Sequence, residues 1–315
     1  MKHTSIIVAA GFALVALLPS IPAAARLFVS PTGSDSNDCS LATPCRNLQA
    51  AVYKSGSGGE ITVLGTAGYS GGVTLFIDRA ISIVNPGAFE AGISPPSGGI
   101  GIVINAGPND AVSLRGLTID GTGVAQTGIQ FNTGKSLTVQ DCIIRHVTSD
   151  GIDFVPNATS NLLVSNTLVA DNTDVGIFVN PTGSGTVTAI FNRVEVSNNS
   201  GEGFYLWGAN STGTIKATVA ESVVAHNANA GFFVDTGSGF AATTLTVFHS
   251  VSANNVDGIA ATGTGATLRL AQTEVTGNST AGWITNAGGV IASYGDNYID
   301  GNGANTGSLT PIGKQ

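Results

Sequence analysis

Within DGIDFVPNATSNLLVSNTLVADNTDVGIFVNP, residues 150–181, Asp153 stands two positions after a glycine in a short apolar phrase. A carboxylate so placed can serve as acid or base when a partner is held within hydrogen-bond reach. Arg145, His146 and Tyr205 are the partners to consider. Other stretches resemble chemistry and fail on context. GYSGG, residues 68–72, has the G-x-S-x-G spacing, but that motif needs a helix after the turn, and VTLFID follows. Ser70 is therefore read as a turn residue. GIQFNTGKS misses the phosphate-loop spacing by one residue and no helical pattern follows, so it reads as strand and turn. His146 and His226 occupy equivalent places, each five residues before a glycine, but too far apart in the chain's repeat to share a metal, and no ligand pair has metal spacing. No metal site and no cofactor are expected.

The glycine phrase belongs to a repeat. TGIQFN, DGIDFV, VGIFVN, EGFYLW, AGFFVD, DGIAAT and AGWITN carry glycines 128, 151, 176, 203, 231, 258 and 282, separated by 23, 25, 27, 28, 27 and 24 residues. A period in the twenties is a solenoid signal. Three short strands fit one period, as in LTVQ, CIIRH and GIDFV. The leucine ladder of leucine-rich repeats, a six-residue beat and the G-G-x-G-x-D calcium repeat are all missing. The fold class expected is thus all-β, a single-stranded right-handed parallel β-helix of about ten coils. Asn172, Asn199, Asn227, Asn255 and Asn278 close the preceding strands, and stacked at about 4.8 Å per coil their amides can form a hydrogen-bonded ladder. Asn also tolerates the left-handed conformation a tight corner requires.

Alternation along the glycine-led strand sorts its residues. One after each glycine stand Ile129, Ile152, Ile177, Phe204, Phe232, Ile259 and Trp283, the inward column. The positions two and four after it face outward. Phe178, Tyr205 and Phe233 then occupy successive coils, with Trp207 beside Tyr205, and with Asp153, Asn180 and Asp235 around them. Such an aromatic strip with amides and carboxylates suits sugar rings and their hydroxyls. It equally suits an aromatic ladder that only stabilises the sheet. GAFEAGISPPSGG, an excursion from a coil corner, is a candidate edge of the binding face.

Of 315 residues, 42% are hydrophobic and 10% charged, the net charge is −8, and 12 Lys and Arg are scattered without a cluster. A nucleic-acid partner is therefore not expected. Residues 1–25 read as a signal peptide, with Lys2 and His3, an apolar run from Ile6 to Leu18, and Ala23, Ala24 and Ala25 at the cleavage site. The apolar run is too short for a span, so no membrane contact is expected after cleavage, and the location is secreted or periplasmic. In an oxidising compartment Cys39 and Cys45 suit a small loop-closing disulfide, the alternative being two unpaired thiols. Cys142 lies in an apolar strand. Residues 26–59 read as an N-terminal strand and cap, in which RNLQAAVYK has helical spacing, and 60–315 as the β-helix, taken as a monomer.

RLFVSPTGSDSNDCSLATPCRNLQAAV and the coil array together resemble secreted right-handed parallel β-helix proteins of the pectate-lyase-like (pectin lyase fold) superfamily. The resemblance implies a polysaccharide or cell-surface glycan as partner. Mannuronan C5-epimerases carry G-[YF]-D-P-H-E on the equivalent strand. Asp153 matches the Asp of that phrase, whereas Val155 stands where the His would be and Asn180 where a second Asp would be. The function expected is carbohydrate binding on the exposed strand face, through Phe178, Asn180, Tyr205, Trp207, Phe233 and Asp235. The alternatives are a polysaccharide lyase or uronate C5-epimerase using Asp153, with calcium only if it is a lyase, and a structural or adhesion surface protein.

Overall fold

The structure, a computed structural model, describes residues 26–87 and 89–314. The leader-like residues 1–25 lie outside the described residues. The chain winds into a right-handed parallel β-helix of about nine turns, one fewer than the repeat count implies. Nine strands, from Leu75–Ile77 to Ala281–Asn286, form one flat sheet that includes every glycine-led phrase. The other strands of each coil belong to a larger sheet that folds around the rest of the core. The pairing in both is parallel, as when a chain climbs one strand per coil.

Register carries the inward column from coil to coil: Ile129, Ile152, Ile177, Phe204, Phe232, Ile259 and Trp283 are successive partners. All but the last, which lies partly buried at the end, are fully buried. Two positions on, Phe131 stacks on Phe154 with centroids 4.6 Å apart, and Phe204 on Phe232 lies 5.4 Å away in the adjoining column.

The asparagine ladder forms beneath the turn that leads into each glycine strand. Asn172 Nδ2 donates to Asn199 Oδ1 at 2.9 Å, Asn199 to Asn227 at 2.9 Å, Asn227 to Asn255 at 3.0 Å and Asn255 to Asn278 at 3.1 Å. All five are buried. They do not themselves take the left-handed conformation, contrary to the reason given for their type. That conformation falls on the residue before each of them, at Asp171, Asn198, His226, Asn254 and Gly277. The bend is made one residue early, so the asparagine side chain points inward to bond the turns above and below.

The repeat glycines are required by space. Their φ is not positive, yet a Cβ on Gly203 would stand 2.3 Å from Val224 Cγ1 and 2.7 Å from the Gly231 carbonyl. Gly176 and Gly258 meet the same two obstacles, a valine methyl of the next coil and the next glycine's oxygen.

At the N-terminal end, the helix Leu48–Lys54 buries Leu48, Ala51 and Val52 against the first strands. Cys39 and Cys45 form a disulfide in the loop before it, and Cys142 is free and buried. At the other end, Asn302 extends the ladder, accepting from Asn278 at 2.8 Å, and Thr306 pairs with the last glycine-led strand through Thr285 and Trp283. The helix Leu48–Lys54 covers the N-terminal edge of the stack against edge pairing. Ser70 is a buried turn residue, its hydroxyl donating to the Ser94 carbonyl at 2.9 Å. The excursion runs from the larger sheet, at residues 89–93, back to the glycine-led sheet, which its residues 95–99 enter at Ile100–Asn105. Its strand Ala91–Ile93 pairs within the larger sheet, and Phe89 and Glu90 line a cavity of about 440 Å³ there with Arg115 and Arg145.

Candidate functional site

The outward column two after each glycine runs Gln130, Asp153, Phe178, Tyr205, Phe233, Ala260 and Ile284, each the register partner of the next. Phe178, Tyr205 and Phe233 are half-buried, so the strip is exposed as alternation requires. Their rings stack on one another: Phe178 on Tyr205 at 5.0 Å and 25°, Tyr205 on Phe233 at 4.8 Å and 15°. Trp207 lies near-parallel beside them, 6.2 Å from Phe178 and 6.3 Å from Tyr205.

This stacking changes what the strip can offer. Both faces of Tyr205 are taken by its neighbours, so it presents an edge and a hydroxyl to a ligand. The hydroxyl donates to Asp235 Oδ2 at 3.3 Å. Faces not covered by another ring of the ladder remain on Phe178, toward Asp153, and on Phe233, toward the small Ala260. Asn180 accepts from Asn210 Nδ2 at 3.0 Å, which pins the loop after the next strand to this face.

Asp153 receives one long bond, 3.4 Å, from Gln130 Nε2, and its Oδ1 is buried with no partner. Burial pushes its carboxyl up to about 6. Its proposed partners lie elsewhere. Arg145 Nε and His146 Nδ1 both bind Asp120, at 2.9 and 3.1 Å. Tyr205 stands two register steps away, beyond Phe178, which is roughly 10 Å at β-sheet spacing. Val155 at the fourth position is apolar and can neither give nor take a proton. The combination of Asp153 with Arg145, His146 or Tyr205 is therefore not assembled.

Sequence reading passed over a set of acids in the turns before the glycines, of which Asp150 lies near enough to Asp153 to feel its charge. Asp150 precedes Gly151, Glu202 precedes Gly203, and Asp174 lies two before Gly176. Burial, then repulsion from Asp153 and Asp174, pushes Asp150 up to about 7. Burial also raises Glu202, with Asp174 adding to it, and raises Asp235 and Asp257. Asp150 Oδ1 accepts from the Val175 amide at 3.2 Å, and Glu202 Oε1 from Asn229 Nδ2 at 2.7 Å. The signal was visible as the acidic letter before the glycine in DGIDFV, EGFYLW and DGIAAT. Among the described residues, no three His, Cys, Asp or Glu side chains meet in a metal-holding group.

The family model for the right-handed beta helix region matches residues 101–304. This chain belongs to that family. The β-helix matches no curated protein sequence. Among solved structures it is similar to an alginate lyase from Paenibacillus sp. str. FPU-7, at 14% identity and a TM-score of 0.65 over 91% of this chain and 99% of that one. It is also similar to the pectate lyase Pel9A, at 15% identity and TM-score 0.55, over 91% of this chain and 79% of that one. A third is XylC in complex with xylose, at 9% identity and TM-score 0.57, over 82% and 70%. At these identities the likeness is one of fold.

Proposed function

We propose that this β-helix binds a polysaccharide along its glycine-led face. The observation that carries the reading is the half-exposed aromatic column Phe178, Tyr205 and Phe233 with Trp207 beside it, flanked on one flat sheet by Asp153, Asn180 and Asp235. Ring faces at the ends of the column give a sugar's C–H face a platform, and the carboxylates and amides give its hydroxyls partners. The names of similarly folded structures, an alginate lyase, a pectate lyase and a protein holding xylose, support a saccharide ligand. The disulfide and the leader-like first 25 residues support a secreted or periplasmic setting. Binding is the reading the aromatic column supports, since Arg145 and His146 are engaged by Asp120 and not by Asp153.

The test is retention on a panel of polysaccharides, by pull-down for insoluble polymers and affinity electrophoresis for soluble ones. Phe178→Ala and Trp207→Ala should each weaken retention several-fold while the melting temperature stays near wild type. Unchanged retention in both variants refutes the assignment of the face.

A further inference from the structure

The lysines and arginines of the molecule stand apart from the aromatic column. The five coils around the aromatic column contribute residues 146–160, 171–186, 198–213, 226–241 and 254–266 to the glycine-led side, counting each strand with its flanking turns. None of these segments contains a lysine or arginine. They contain Asp150, Asp153, Asp171, Asp174, Glu202, Asp235 and Asp257. The cations of the same stretch of chain, Arg193, Lys216 and Arg269 among them, sit on the larger sheet or at its bend. Arg115 and Arg145 are there too, paired with Asp141 and Asp120.

A polymer lying along the helix axis must cross this face. A polyuronate brings one carboxylate per ring, with a ring repeat close to the coil spacing, and would set its charges against the protein's without one cation to receive them. Like charges at such range cost roughly tenfold or more in affinity. A neutral glycan meets the opposite situation. Carboxylates only accept, sugar hydroxyls donate, and a hydroxyl bonded to an ionised carboxylate makes the stronger, charge-assisted kind of hydrogen bond. Asp235 is only partly buried and is held only by the Tyr205 hydroxyl, which leaves acceptor positions open to a sugar hydroxyl.

We infer that the ligand of this face is a neutral, hydroxyl-rich polysaccharide and that polyuronates are rejected. This rests on the polysaccharide-binding reading above and narrows it to a substrate class.

The experiment compares xylan, glucomannan and cellulose with polygalacturonate and alginate, at low salt and neutral pH, with and without added calcium chloride. At least one neutral polymer should retain the protein, and both uronate polymers at least tenfold less well. Phe178→Ala and Trp207→Ala should reduce the neutral retention several-fold. Asp235→Lys should raise retention on polygalacturonate, in a manner that added salt removes. Retention on polygalacturonate or alginate equal to that on the neutral polymers, in either calcium condition, overturns the inference and leaves polysaccharide binding standing. Neutral retention that ignores the face variants overturns it as well. Retention on no polymer overturns polysaccharide binding itself.

Discussion

Asn227 sits in the middle of the asparagine ladder, and its truncation measures what the ladder contributes. Its Oδ1 accepts from the Asn199 amide N–H at 3.1 Å and from Asn199 Nδ2 at 2.9 Å, and its Nδ2 donates to Asn255 Oδ1 at 3.0 Å and to the Val196 carbonyl at 3.2 Å. Asn227→Ala removes all four. Asn199 Nδ2 keeps the Val169 carbonyl, and Asn255 Oδ1 keeps the Asn227 backbone N–H, so those two are only weakened. The Asn199 backbone N–H loses its only bond and is buried. One orphaned buried donor costs about 1–3 kcal/mol, and the three other lost bonds about 1 kcal/mol each, so the sum is roughly 4–6 kcal/mol. Urea unfolding followed by circular dichroism reads this directly. Asn161→Ala, at an exposed position with no side-chain bond in the ladder, is the control and should change stability by under about 0.5 kcal/mol. Destabilisation by Asn227→Ala of less than about 1 kcal/mol, with an unchanged denaturant slope, would refute the ladder's energetic role.

Gly203→Ala should destabilise by at least the roughly 1–3 kcal/mol of an overpacked core, because its Cβ would stand 2.3 Å from Val224 Cγ1. Gly68→Ala, where nothing lies within 4 Å, should be near neutral in the same melt. Asp150 and Asp153, raised to about 7 and 6 chiefly by burial, ionise near 3.9 in the unfolded chain. Between about pH 4 and pH 7 the folded protein therefore holds protons that the unfolded chain has released, and stability falls as pH rises through that window. The melting temperature should be higher near pH 5 than near pH 8, and Asp150→Asn should flatten the difference; a wild-type melting temperature that climbs from pH 5 to pH 8 contradicts it. The lowered carboxyls, Asp35, Asp38, Asp78, Asp120 and Asp296, titrate below this window and do not mask it.

What the sequence disclosed was whatever obeys a period. Spacing identified the coil, alternation separated Ile152 and Ile177 from Asp153 and Phe178, and recurrence picked out the five ladder asparagines. Helical spacing of Leu48, Ala51 and Val52 marked the cap. What it hid depends on contacts across coils. That the glycines are demanded by a valine methyl and a neighbouring carbonyl, and not by turn geometry, needs the next coil in place. So does the fact that Tyr205's faces are covered, since a one-dimensional list of aromatics says nothing of ring planes. Asp150, Asp174 and Glu202 occupy different offsets from their glycines, so no single column displayed them together. That Asp174 acts on both Asp150 and Glu202 appears only when turns stack.

The two halves of each repeat answer to different demands, and this explains how carboxylates come to stand beside the aromatic column. Inward positions, the ladder asparagines and the glycines are fixed by packing at the coil spacing, where a single added methyl or lost amide is felt by two neighbours. Outward positions on the glycine-led sheet carry no such constraint: Gln130, Asp153, Phe178, Tyr205, Phe233, Ala260 and Ile284 share one column and no common chemistry. Stability alone does not call for buried carboxylates there. Asp153 and Asp150 are held at raised proton affinity, and an unpartnered buried oxygen is costly. Structural need would be better met by threonine or asparagine, which this chain uses freely everywhere else. Acids retained at a cost beside half-exposed aromatics, on five coils whose glycine-led side has no lysine or arginine, are accounted for by a ligand rich in hydroxyl donors and free of negative charge.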